Sequence, residues 1–132
     1  KRDRPFNPQH KNQVSICLKG TWYELNVKNS DFKSKYDSLD VSIIQDKVLN
    51  PILGIKDPRA DENLFFVGGV RDPVEMEKYV IEKGNDLFIN LYPVSIKDLE
   101  EIADVGGTMP PKSTWFDPKV LSGLVLHDLI DF

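Results

Sequence analysis

The chain is short of the residues that carry covalent and metal chemistry: one cysteine, Cys17, and two histidines, His10 and His127, in 132 residues. A lone cysteine excludes an internal disulfide and suits a reducing compartment. Cys17 sits in a strand-like run, so it reads as a packed thiol, and no nucleophile–base pair can be named. His127 has Asp128 and Asp131 nearby, but residues 127 and 128 of a strand point to opposite faces, so no metal site is expected. Long apolar runs are missing too. Nothing approaches the roughly 20 residues that span a bilayer, and no signal peptide is visible. The expectation is a soluble, cytoplasmic protein with no membrane partner. An excess of positive charge is missing as well. A net charge of −4 gives no electrostatic ground for a nucleic-acid partner. The one basic start, Lys1-Arg2-Asp3-Arg4, reads as a solvated end.

What is present belongs to an ordinary globular domain: 40% hydrophobic and 29% charged residues, with length for one self-sufficient core. Residues 1–12 form a polar lead-in containing Pro5 and Pro8, and residues 13–132 are read as one domain. The chain opens on Lys rather than Met. That start is expected of a cut inside a longer protein or of a processed terminus.

Apolar periodicity gives the elements. Val14, Ile16 and Leu18, then Tyr23, Leu25 and Val27, alternate on either side of Lys19-Gly20 and predict a β-hairpin. Residues 28–37 read as a loop. A helix is predicted from Leu39-Asp40, with Asp40 as its cap, Leu39 and Ile44 as a hydrophobic staple, and Ile44, Val48 and Ile52 on one face. Pro51 and Gly54 should end it near Asn50. Leu64–Val67 predicts a buried strand. Asp72-Pro73-Val74-Glu75 starts a second helix, with Met76, Tyr79 and Val80 inward and Gly84 as its stop. Leu87–Tyr92 predicts another strand. Ser95 and Asp98 form a capping box, flanked by Val94 and Leu99, for a third helix that ends at Gly106. Leu124, Val125 and Leu126 begin a last strand. The fold class is therefore α+β or α/β: a mixed sheet of about five strands with an N-terminal hairpin, parallel pairings among the later strands, and three helices packed on it.

The stretch GGTMPPKSTWF, residues 106–116, imitates a P-loop. In that register, however, Pro111 occupies the second glycine's place. A proline has a fixed φ and no amide hydrogen, and Pro110 removes a second donor. The loop also leaves a helix instead of a strand. It is not a P-loop, and Gly106-Gly107 reads as a helix stop. Two readings of the rest stand. Lys112 with the hydroxyls of Ser113 and Thr114 could hold one phosphate or carboxylate; or Pro-Pro stiffens a connection, Lys112 is solvated, and Trp115-Phe116 covers the core. Gly68-Gly69 resembles a phosphate turn, but Asp72 at the following helix start would repel an anion. Trp22-Tyr23 reads as core or interface.

Four stretches, GTWYEL, LDVSIIQDKVLNPILGIKD, FFVGGVRD and IADVGGTMPPKSTWFDPKVLSGLVLHDL, resemble the C-terminal part of the bacterial family called domain of unknown function 1015, from about Trp22 to the end. The resemblance implies a longer chain whose earlier half carries a Gly-His-His-Arg motif similar to that of ParB/sulfiredoxin-like proteins. That motif does not occur here. What carries over is the block Met109, Pro110, Lys112, Ser113, Thr114, Phe116 and Lys119, of which Lys112, Ser113, Thr114 and Lys119 are the anion-binding candidates. The family implies no established activity, and no cofactor follows from it. Two functional expectations remain. One is a non-catalytic C-terminal domain that packs against its own N-terminal half. The other is a loop completing a kinase-like or phosphoryl-transfer site on a small phosphorylated metabolite. These residues alone are expected to turn nothing over.

Overall fold

The computed structural model describes residues 1–28, 32–68, 71–84 and 86–115. The expected strand at Leu124–Leu126, and with it Gly69, Phe116, Lys119, His127, Asp128 and Asp131, lie outside the described residues.

The hairpin forms as its sequence predicts: β1 (Gln13–Leu18) and β2 (Thr21–Asn26) pair antiparallel. Lys19 and Gly20 carry φ of 47° and 76°, the doubly left-handed turn whose twist matches two antiparallel strands. The third strand, β3 (Leu87–Leu91), lies on the other side of β1, so the order is β2-β1-β3.

The expected size of the sheet is corrected. The described residues form three strands rather than five, and β3 runs antiparallel to β1, with Val14 opposite Leu91 and Leu18 opposite Leu87. One of the two expected parallel pairings depended on Leu64–Val67 being a strand, and that run joins no ladder; the other, with the strand at Leu124, lies outside the described residues. Phe65 is 71% exposed, and Phe66 and Val67 are exposed as well. Four apolar residues are too few to separate a strand from a loop by pattern. Asp57 and Asp61 instead hold turns ahead of the run through their side chains and the carbonyls beside them.

Both edges of β1 are paired, and Val14, Ser15 and Cys17, from its two faces, are all fully buried. On one face Val14 joins Ile44, Leu49 and Ile55, with Ile16, Leu64, Ile89 and Leu91 packed around them. Ile44 comes from helix α1 (Asp40–Ile44), and Leu49 from the wider turn over Gln45–Leu49 in which it continues. There Asn50 N–H donates to Gln45 O at 3.0 Å, an i→i−5 bond. Such bonds stack residues five apart rather than four. Leu49 therefore follows Ile44 into the core, Val48 is only partly buried, and Ile52, expected on the inner face, is 71% exposed. The helix ends near Asn50 as Pro51 and Gly54 predict.

On the other face Trp22 meets Phe6 and Phe88 edge-on, at centroid distances of 6.4 and 6.2 Å. Its indole N–H donates to Glu77 at 2.7 Å, which ties helix α2 (Pro73–Glu82) to the sheet. Asp72 caps α2 by accepting from Val74 N–H, and Gly84 follows its end at φ +69°. Met76 and Val80 are buried as expected, whereas Tyr79 is exposed. Helix α3 (Ile96–Asp104) has the predicted capping box between Ser95 and Asp98. At its other end Gly106 N–H donates to Ala103 O and Gly107 N–H to Ile102 O, at 2.8 and 2.9 Å. Those two bonds make the left-handed helix stop that glycine favours.

The polar lead-in lies against the sheet. Arg2 N–H donates to Trp22 O at 2.8 Å, and its guanidinium pairs with Glu24. Hydrogen bonds from Asn26, Gln13 and Arg2 bring the Glu24 carboxyl down to about 2.

Candidate functional site

The loop after α3 carries three of the four anion-binding candidates. Pro110 is buried, and its carbonyl accepts from both Ser113 N–H and Ser113 Oγ, at 3.3 and 2.6 Å. Ser113 thus spends its hydroxyl hydrogen on closing its own turn. Lys112, at the tip, is exposed at φ +58°, and Thr114 is exposed beside it. Lys119 lies outside the described residues. Trp115, expected over the core, is 60% exposed. Its indole ring lies so close to Gly68 that a Cβ there would collide with it. The turn after Phe65–Val67 and the Pro-Pro loop therefore meet, and a glycine makes the contact possible.

A second group of polar side chains converges where three segments meet. Lys11 precedes β1, Lys35 belongs to the loop before α1, and Ser95 and Asp98 open α3. Both ammonium groups reach Oδ1 of Asp98, Lys11 at 3.0 Å and Lys35 at 2.8 Å. Oδ2 of Asp98 accepts from the Ser95 hydroxyl at 2.7 Å and its N–H at 3.3 Å. Lys35 also pairs with Glu101 at 2.6 Å. Burial alone would raise the Asp98 carboxyl, but the donors of Lys35, Ser95 and Lys11 together hold it well below the usual carboxylate range. The same pairs raise Lys35 and lower Glu101.

Asp40 stands beside this cluster and differs from it. It was expected to cap α1, but the cap position is Leu39, and Asp40 is the first helical residue. Its carboxylate turns to the lead-in, where Oδ1 accepts from Asn12 N–H at 2.9 Å. Asn12 is in the left-handed region, φ 68°, which asparagine tolerates. Oδ2 of Asp40 is shielded from solvent without a hydrogen-bond partner. Burial pushes this carboxyl up. Asp40, Asp98, Lys11 and Lys35, with Leu39, Tyr92, Pro93, Val94 and Ser95, line a cavity of about 240 Å³.

No family model, curated protein or solved structure matches the chain.

Sequence reasoning brought Ser95 and Asp98 together, but only as a helix cap. It missed Lys11 and Lys35, which lie in polar loops without periodicity, and the true place of Asp40, the first residue of α1 rather than its cap. Cys17 is a buried free thiol whose burial pushes it up, away from the reactive thiolate. Among the described residues no group of three metal-ligating side chains occurs, and no helix is long and apolar enough to cross a membrane.

Proposed function

We propose that this domain is a non-catalytic packing module, whose apolar surface at Phe65, Phe66 and Trp115 docks another part of its own protein. The observation that carries the reading is the meeting of that surface's two halves. Phe65 and Trp115, 71% and 60% exposed, belong to loops joined at Gly68. Large aromatic groups left in water forgo the free energy that burial would return, about 25 cal/mol per Å². The resemblance to the C-terminal part of the domain of unknown function 1015 family supplies the partner, the preceding half of a longer chain.

The test compares two lengths of protein. Phe65→Ser with Phe66→Ser should leave the melting temperature of these 132 residues nearly unchanged and lower that of the longer natural product. Equal effects in both, or a natural product that proves to be only this chain, overturn the reading. A second reading, an anion-contacting loop for phosphoryl transfer, draws on Lys112, which stands exposed at the tip with Thr114 beside it. Ser113 would serve it through its oxygen lone pairs, its hydrogen being committed to Pro110.

A further inference from the structure

We propose that Asp40 is a pH-sensitive latch between the polar lead-in and α1: its neutral carboxyl holds the start of β1 against the helix, and its ionisation parts the two and lets water in. The two carboxyl oxygens differ. Oδ1 accepts at 2.9 Å from the N–H of Asn12, the residue just before β1. Oδ2 is sealed from solvent without a hydrogen-bond partner, and the whole residue is 6% exposed. A carboxylate spreads its charge over both oxygens, so an ionised Asp40 would hold part of that charge where neither a donor nor water reaches it. Burial costs such a group far more than its neutral form.

The charged groups around Asp40 do not relieve that cost. Lys11 and His10 come from the lead-in, Lys35 from the loop before α1, and Asp98 from α3. Both ammonium groups are held at Oδ1 of Asp98, and Lys35 by Glu101 as well. Asp98 is itself negative and opposes a second charge, whereas Lys11 and His10 favour one. Burial outweighs them, and the Asp40 carboxyl is raised from 3.8. The closed arrangement is therefore favoured in full below 3.8 and loses its advantage as pH rises through the raised value. Opening gives up the bond to Asn12 and hydrates Oδ2. The cavity of about 240 Å³ that Asp40 lines gives incoming water room beside it. The latch does not depend on the docking surface at Phe65, whose residues line no part of that cavity.

The experiment is native-state amide exchange of the 132-residue chain, corrected for intrinsic rates and followed by NMR from about pH 4 to about pH 7. The Asn12 amide is expected to lose protection by about tenfold per pH unit over the interval in which the Asp40 carboxyl carbon titrates. Dilute urea should leave its exchange unchanged, the mark of a local opening, while that of Cys17, buried in β1, accelerates as global unfolding does. These readings need no variant. Asp40→Asn should then remove the pH dependence of Asn12, and His10→Gln, which takes away the neighbouring imidazole, should keep it. Asn12 protection that stays constant through the Asp40 titration, or urea sensitivity equal to that of Cys17, overturns the proposal. So does a pH dependence retained by Asp40→Asn or lost in His10→Gln.

Discussion

Lys35 Nζ lies 2.8 Å from Oδ1 of Asp98, joining the loop before α1 to the first turn of α3. Lys11 reaches the same oxygen from the start of the sheet. One carboxylate thus clamps three segments far apart in sequence while also capping its own helix.

Replacing Asp98 should therefore do more than fray α3. Asp98→Asn leaves two ammonium groups facing an uncharged amide and weakens the capping box, a loss of about 2 kcal/mol. Denaturant unfolding at neutral pH measures it. The Asp98 carboxyl is depressed from 3.8, so its contribution is present above that value and disappears as pH falls below it. The variant should have a flatter stability profile in acid than the parent. An unchanged acid limb would show that the clamp contributes nothing.

Asp40 should behave in the opposite sense. Its carboxyl is raised from 3.8 by burial. Its stabilising contribution is therefore complete below 3.8 and is lost as pH rises through the raised value. Asp40→Asn keeps an oxygen for Asn12 N–H and removes the charge. Its unfolding free energy should lack the decline that the parent shows between acid and neutral pH, and should equal or exceed the parent's at neutrality. A decline of the same size in both proteins would refute this.

Gly68→Ala addresses the contact between the two loops. The new methyl group would occupy space held by the Trp115 ring, so the ring must move. Since Trp115 is largely exposed, the stability cost should stay below about 1 kcal/mol, while the indole emission and its quenching by iodide change. The chain has two tryptophans, so Trp115→Phe in the same background identifies the source of the change. A spectrum identical to that of the parent would mean that the contact is not formed.

Lys112→Ala separates the two functional readings. The side chain is exposed, so the melting temperature of the natural full-length protein should be nearly unchanged. If the loop contacts phosphate there, binding of nucleotide or phosphate ester falls by tenfold or more, about 1.4 kcal/mol. Unchanged binding leaves the packing reading alone.

Legibility in the sequence followed the range of the interactions. The hairpin turn at Lys19-Gly20, the cap at Asp72, the box at Ser95 and Asp98, and the stop at Gly106-Gly107 are set within a few residues, and each was visible. Leu64–Val67 was misread because apolar content does not say whether a partner edge is available. Ile52 was misplaced because one wide turn after Ile44 changes the spacing of everything beyond it. Of the candidate site, Asp98 was found for its local role alone. Its links to Lys11 and Lys35, like the burial of Asp40, arise from segments that only the folded chain brings together.

The position of β1 between β2 and β3 also sets an order of events during synthesis. The hairpin can close as soon as Asn26 emerges, but a two-stranded ribbon is barely stable in water by itself. Its second edge stays open until Leu91 is available to meet Val14. Such distant pairing makes for slow assembly and leaves a nascent strand exposed to the wrong neighbours. For a ribosome-bound chain, commitment to the sheet thus waits until more than two thirds of these residues have been made.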